Sequence, residues 1–89
     1  MAKFAFVKFE INNDFFEWEK HFYASQPQAR KAGMLELFHG MQSDDPSSCA
    51  VLVSIESKEK MDEFMKDAGD AIAESGHILE STEVTFYEN

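Results

Sequence analysis

Met34-Leu35-Glu36-Leu37-Phe38-His39-Gly40-Met41, followed after Gln42 to Ser48 by Cys49-Ala50-Val51-Leu52-Val53-Ser54-Ile55, is the stretch that decides the fold. The first run is apolar and extended in preference, and the second is β-branched at alternate positions. Between them Gln42 to Ser48 carries Asp44, Asp45 and Pro46, residues that favour a turn. Strand, polar turn and strand at this spacing predict a hairpin. Period-2 alternation places Leu35, Leu37, His39 and Met41 on one face of the first strand and Met34, Glu36, Phe38 and Gly40 on the other. In the second strand Cys49, Val51, Val53 and Ile55 oppose Ser48, Ala50, Leu52 and Ser54.

On the N-terminal side of the hairpin, Lys3 to Ile11 reads as a strand. Its odd positions Ala5, Val7, Phe9 and Ile11 are all apolar, while its even positions run Phe4, Phe6, Lys8, Glu10. Asn12-Asn13-Asp14 stops it and opens a helix, where Asp14 and Glu17 have the spacing of a capping box. Phe15, Trp18 and Phe22, with Phe16 and Tyr23 beside them, then recur at helical spacing. Glu19 falls inside that aromatic stripe and His21 points away from it. Pro27 lacks an N–H and disfavours helix at Gln26, so the helix is expected to break there. A short turn from Pro27 to Ala32, with Ser25 as its cap, is expected to follow and to end at Gly33.

On the C-terminal side, Ser57 can cap a second helix whose apolar positions are Met61, Phe64, Met65, Ala68 and Ile72, with Asp62 and Lys66 paired on its wet side. Gly69 weakens that helix and Gly76 ends it. Ile78 to Tyr87 alternates as a last strand, with Val84 and Phe86 on one side and Thr85 and Tyr87 on the other.

The order β-α-β-β-α-β predicts a ferredoxin-like α+β fold spanning residues 1–89 as a single domain. In this layout strands one and three are central and both helices cover one face of a four-stranded antiparallel sheet. The wholly apolar strand faces meet the helices. The other face carries Phe4, Phe6, Phe38, Leu52 and Tyr87, a patch larger than monomers usually leave to water. A homodimer is therefore expected, two sheets packing back to back through these residues.

The totals narrow the function. Nine Phe and five Met in 89 residues imply a core rich in large, adaptable side chains. With 8 basic against 17 acidic residues and a net charge of −9, the surface repels phosphate backbones and anionic membranes. Lys3-Phe4-Ala5-Phe6-Val7-Lys8-Phe9 approaches an RNA-recognition octamer but lacks its glycine and lies on the first strand, so nucleic acid is not an expected partner. A single cysteine, Cys49, excludes an intrachain disulfide and reads as a small core hydrophobe. The start leads directly into a strand, without a leader pattern, and no run approaches the ~20 apolar residues of a membrane span. A cytoplasmic location, with no membrane partner, is the expectation.

With these elements placed, the chain resembles the dimeric α+β barrel superfamily. That superfamily includes antibiotic-biosynthesis-type monooxygenases, haem-degrading relatives, muconolactone isomerase-like and stress-response barrel proteins. Phe4-Ala5-Phe6-Val7-Lys8-Phe9, Phe15-Phe16-Glu17-Trp18, Leu37-Phe38-His39-Gly40 and Ser75-Gly76-His77 also look like an uncharacterised family of roughly ninety-residue marine bacterial proteins. The resemblance implies a substrate position between sheet and helices. The Asn-Trp-His set of the haem-degrading members does not map onto this chain, since its first strand has no Asn and Trp18 lies on another element.

Two residues carry candidate chemistry. His39 on the second strand can hold a polar ligand group or move a proton near neutral pH. Glu19, among aromatics, can pair with His39 or a substrate hydroxyl. A pocket between helices and sheet is expected from Phe15, Trp18, Phe22, Leu37, Val51, Val53, Phe64, Met65 and Phe86, with His39 and Glu19 as its polar markers. Such a lining suits a fatty-acyl or aromatic guest. Binding of that guest is the first functional expectation, cofactor-independent oxygenation or isomerisation the second, and a purely structural or interaction role the third. His77 is expected to meet the carbonyls of the preceding helix end. The three histidines lack metal-ligand spacing, and neither a metal nor a cofactor is expected.

Overall fold

The computed structural model describes residues 2–89. Its strands are β1 (Lys3–Ile11), β2 (Leu35–Gln42), β3 (Asp45–Ile55) and β4 (His77–Glu88), and its helices are α1 (Phe15–Lys31), α2 (Lys58–Asp67) and α3 (Gly69–Glu74). The strands form one antiparallel sheet in the order β2-β3-β1-β4. This is the ferredoxin-like arrangement, with the hairpin contributing one edge strand and one central strand.

The alternation in β1 and β3 is realised as read. Ala5, Val7, Phe9 and Ile11 are buried, as are Cys49, Val51, Val53 and Ile55, and together they form the sheet side of the core. From above, Phe15, Trp18 and Ala29 of α1 and Met61 of α2 close it. Burial pushes the Cys49 thiol up to about 11, with the nearby Asp45 charge acting in the same direction. Cys49 is therefore an uncharged packing residue.

The helix ends follow their capping residues. The Asp14 carboxylate accepts from the Phe16 N–H at 3.0 Å, while Glu17 turns outward to Lys20 at 3.3 Å and does not complete the box. Ser57 accepts from the Lys60 N–H at 3.1 Å. At the end of α1, Gly33 has φ +79. Its N–H reaches the Arg30 carbonyl, and the Met34 N–H reaches that of Ala29, each at 3.0 Å. That pair of bonds is the Schellman motif, sealed by buried Met34 and Ala29.

Besides the incomplete capping box and the division of the expected second helix into α2 and α3 at Ala68, three details depart from the sequence reading. α1 runs through Pro27 without a break. Just before the proline, the Ser25 hydroxyl and the Gln26 carboxamide both donate to the Phe22 carbonyl, at 2.8 and 3.2 Å. Trp18 and Phe22 before Pro27 and Ala29 after it lie on one packed face, and tertiary burial overrides the local cost of proline. The hairpin turn is also tighter than Gln42 to Ser48. Gln42 pairs with Asp45, so Asp45 and Pro46 already belong to β3. The Asp45 carboxylate accepts from both Ser47 and Ser48, which holds it below the usual carboxylate range. Finally, β2 contains a bulge. Glu36 pairs with Val53 and Phe38 with Leu52, leaving Leu37 as the extra residue.

That bulge inverts the phase of the first part of β2. Leu35 pairs with outward Ser54 and is exposed, while Glu36 shares the helix-covered face with Val53. From Phe38 onward the expected phase holds. Glu36 and His39, three residues apart, thus lie on one face, which a regular strand cannot achieve. A second irregularity separates Lys8/Glu83 from Glu10/Ile78 in the β1–β4 pairing. There the Ser81 hydroxyl accepts from the Glu10 N–H at 2.8 Å and donates to the Ile78 carbonyl at 2.6 Å, satisfying backbone groups the ladder leaves open. No helix among the described residues is long and apolar enough to cross a membrane.

Candidate functional site

α1 lies on the β2 side of the helix-covered face, α2 and α3 on the β3 and β4 sides, and α1 makes few contacts with the other two helices. A cleft of about 840 Å³ runs between them. Val7, Phe9, Val51 and Val53 form its floor, Trp18, Phe22 and Ala29 one wall, and Phe64, Met65 and Ile72 the other. Its size falls within the range of small-molecule sites.

The expected pocket residues divide accordingly. Trp18, Phe22, Val51, Val53, Phe64 and Met65 do line the cleft. Phe15 is buried under the start of α1 and borders a separate shallow hollow with Phe16, Met41 and Pro46. Leu37, the bulge residue, is 50% exposed and lies outside the cleft. Phe86 lies half-buried on the same sheet face beyond the cleft, under the Lys58 ammonium at 4.5 Å. His39 and Glu19 meet each other, but behind the wall rather than in it.

Their geometry is close. The Nε2 of His39 lies 2.6 Å from Glu19 Oε2, and Nδ1 lies 3.3 Å from Glu36 Oε1. Each ring nitrogen thus faces a carboxylate oxygen, and a ring carrying both protons can donate to both. The Tyr23 hydroxyl donates to Glu19 Oε2 at 3.4 Å and lies at the same distance from His39 Nε2. Desolvation, then the Glu19 charge, raises the Tyr23 phenol above its ordinary value, so it stays a proton donor. Phe22 packs against the imidazole with ring centres 4.8 Å apart, and Phe15 and Trp18 lie further out. The histidine side chain is only 13% exposed.

Glu36 is the member of this cluster that sequence reasoning missed. Glu36 matters most, because it both touches His39 and lines the cleft. It is the polar link between the buried pair and the ligand space. The sequence hides it, because Leu35, Leu37, His39 and Met41 read as one regular face that leaves Glu36 on the other.

His77 also departs from its expected role. Rather than capping a helix end, its ring stacks on Phe9, with centroids 4.0 Å apart and planes 3° from parallel. Nε2 lies 2.6 Å from the Thr82 hydroxyl. Burial lowers its pKa to about 4, against 6.5 for a free imidazole. On acidification the unfolded chain takes up this proton first. The stability held by neutral His77 is therefore complete above pH 6.5 and is lost as pH falls from there through 4. Urea unfolding at pH 7.5 and pH 5 should show a smaller drop for His77→Phe than for the unaltered chain. Equal drops would contradict a neutral, buried ring.

Among the described residues, no group of three His, Cys, Asp or Glu side chains is placed to hold a metal ion.

Comparison with known proteins places the chain. It belongs to the family described as domain of unknown function DUF3764, whose profile matches residues 3–89. No curated protein matches it. Among solved structures it is similar to a candidate antibiotic biosynthesis monooxygenase from Bordetella bronchiseptica, at TM-score 0.77 and 12% identity, covering 100% of this chain and 98% of that one. It is also similar to a mutant of SnoaB, a cofactor-independent oxygenase from Streptomyces nogalater, at TM-score 0.69 and 14% identity over 100% and 94% of the two chains. A monooxygenase from the gene ActVA-Orf6 of Streptomyces coelicolor, solved with nanaomycin D, aligns at TM-score 0.64 and 15% identity over 99% and 87%. At these identities the likeness is one of fold.

Proposed function

We propose that this member of the DUF3764 family is a homodimer in which each protomer binds a small apolar molecule, aromatic or fatty-acyl, in the cleft between helices and sheet. The observation that carries the reading is the cleft itself: about 840 Å³ of space over Val7, Val51 and Val53, walled by aromatic and Met side chains. A core filled to native density would close such a space. Rings and thioethers adapt to flat or elongated guests, and the net charge of −9 favours a neutral one.

The dimer rests on the other side of the sheet. Phe38 and Tyr87 are more than half exposed there, and Leu35 and Leu37 join them because of the bulge, beside partly covered Phe4, Phe6 and Leu52. Aromatic and aliphatic groups gathered on one open sheet face have the composition of an interface core.

A second reading, cofactor-independent oxygenation or isomerisation, is favoured by the Glu19–His39–Glu36 chain and by the names of the fold neighbours. In it, His39 exchanges a proton with Glu19 at Nε2 and with Glu36 at Nδ1, and Glu36 presents the proton to the cleft.

Native mass spectrometry of freshly purified protein tests the first reading, with a retained aromatic or lipid adduct expected. Protein free of any adduct that also fails to bind naphthols or fatty acids would leave a structural role. For the second reading, His39→Ala and Glu19→Gln should keep the affinity for the identified compound within about twofold while lowering its turnover at least ~100-fold, a usual size for loss of acid–base catalysis. Absence of turnover in the unaltered protein leaves the binder.

A further inference from the structure

The floor and walls of the cleft are mostly apolar, but one corner of the floor carries a fixed polar group. His77 pairs with Ile11 at the end of β1, whereas Glu36 pairs with Val53 near the opposite end of the sheet. The two polar residues therefore stand at diagonal corners of the helix-covered face. Most other polar groups of the cleft are already engaged. The Ser75 hydroxyl donates to the Ile72 carbonyl, Ser25 and Gln26 both donate to Phe22, and Glu36 faces His39. Charged side chains such as Lys31, Lys60 and Glu63 lie exposed at the rim.

His77 differs from all of these. It lines the cleft, is 6% exposed, and uses one ring nitrogen on Thr82, while Nδ1 has no hydrogen-bond partner among the described residues. Stacking on Phe9 fixes the ring plane and Thr82 fixes its rotation. A preorganised, half-satisfied polar group in an apolar cleft is how binding sites fix a guest's orientation.

We infer that His77 anchors the ligand, its free ring nitrogen taking the hydroxyl or carbonyl oxygen of a neutral, otherwise apolar guest. This deepens the proposed binding function and rests on it. Burial holds the imidazole neutral, which suits an uncharged oxygen group and gives no cation for a carboxylate. The hydrocarbon remainder of the guest then lies over Val7 and Val51, between Phe22 and Phe64.

The test compares 2-naphthol with 2-methylnaphthalene, near-isosteres that differ in hydroxyl against methyl, by titrating Trp18 fluorescence. From the unaltered protein to His77→Phe, the affinity for naphthol relative to methylnaphthalene should fall about fivefold, because the hydroxyl loses one hydrogen bond while the hydrocarbon does not. An unchanged ratio, with both compounds still bound, overturns the anchor and leaves the cleft reading intact. Binding of neither compound to the unaltered protein overturns the anchor, and failure to bind fatty acids as well removes the cleft reading with it. A second measurement needs no variant. The ¹⁵N signals of the His77 ring should move on adding 2-naphthol and stay in place with 2-methylnaphthalene, and a ring insensitive to naphthol at saturation also overturns the anchor.

Discussion

Phe38→Asp is expected to give a folded monomer. Phe38 is 53% exposed on the open sheet face, and its ring lies over Gly40, where a Cβ would stand only 3.1 Å from Cζ. Gly40 thus gives the ring room to lie against its own strand while its outer side remains available to a second copy. In a two-fold interface the substitution acts twice. Each protomer loses apolar burial and places an unpaired carboxylate against the partner's rings. A dissociation constant raised about 100-fold or more follows. Far-UV circular dichroism should be unchanged, because Phe38 is not part of the buried core. A variant that associates as strongly as the unaltered chain would place the interface elsewhere.

The second large effect concerns a single backbone position. Gly76 has φ +102, in the region where a side chain is strained, and a Cβ built there would fall on the Asn13 carboxamide. That carboxamide donates to the Ser75 carbonyl at 3.0 Å, and the Asn12 N–H reaches the Gly76 carbonyl at 2.8 Å. The turn into β4 is therefore clipped to the loop that opens α1, one residue before His77. Gly76→Ala should combine about 1–2 kcal/mol of backbone strain with roughly 1 kcal/mol from the displaced hydrogen bond. The expected loss of about 2–3 kcal/mol is a large fraction of the 5–15 kcal/mol typical of a small domain. Gly69→Ala is the internal control. That glycine opens α3, has no positive φ, and a Cβ there meets nothing within 4 Å. It should stabilise by roughly 0.5 kcal/mol, through helix preference and a less flexible unfolded chain. Urea unfolding of both variants at one protein concentration reads the contrast. Equal effects would show that the clip carries no strain.

The fold was legible because its signals were local and agreed with one another. β1 and β3 each carry an unbroken apolar row at alternate positions, Asp14 and Ser57 start helices, and Gly33 and Gly76 end them. The details that escaped depend on distant contacts. Pro27 looks like a helix breaker until Trp18, Phe22 and Ala29 are seen to share one buried face across it. The bulge at Leu37 cannot be inferred from alternation, because Leu35 and Leu37 mimic an inward-facing pair. Missing the bulge meant missing Glu36, and with it the link between His39 and the cleft. Glu19 was visible as a charge inside an aromatic stripe, and the structure brings it to His39. The role of His77 was not visible, since the ring's stacking on Phe9 requires the β4 register, and a bulge between Ile78 and Glu83 resets that register.

Helix-side and open-side readings share a premise: one sheet of four strands projects apolar groups in both directions, and helices cover only one of them. Sedimentation equilibrium of the unaltered protein at micromolar concentration tests this most directly. The account predicts a species of twice the 10.2 kDa chain mass. A particle of 10.2 kDa throughout that range, with Phe4, Phe6 and Phe38 facing water, would contradict it.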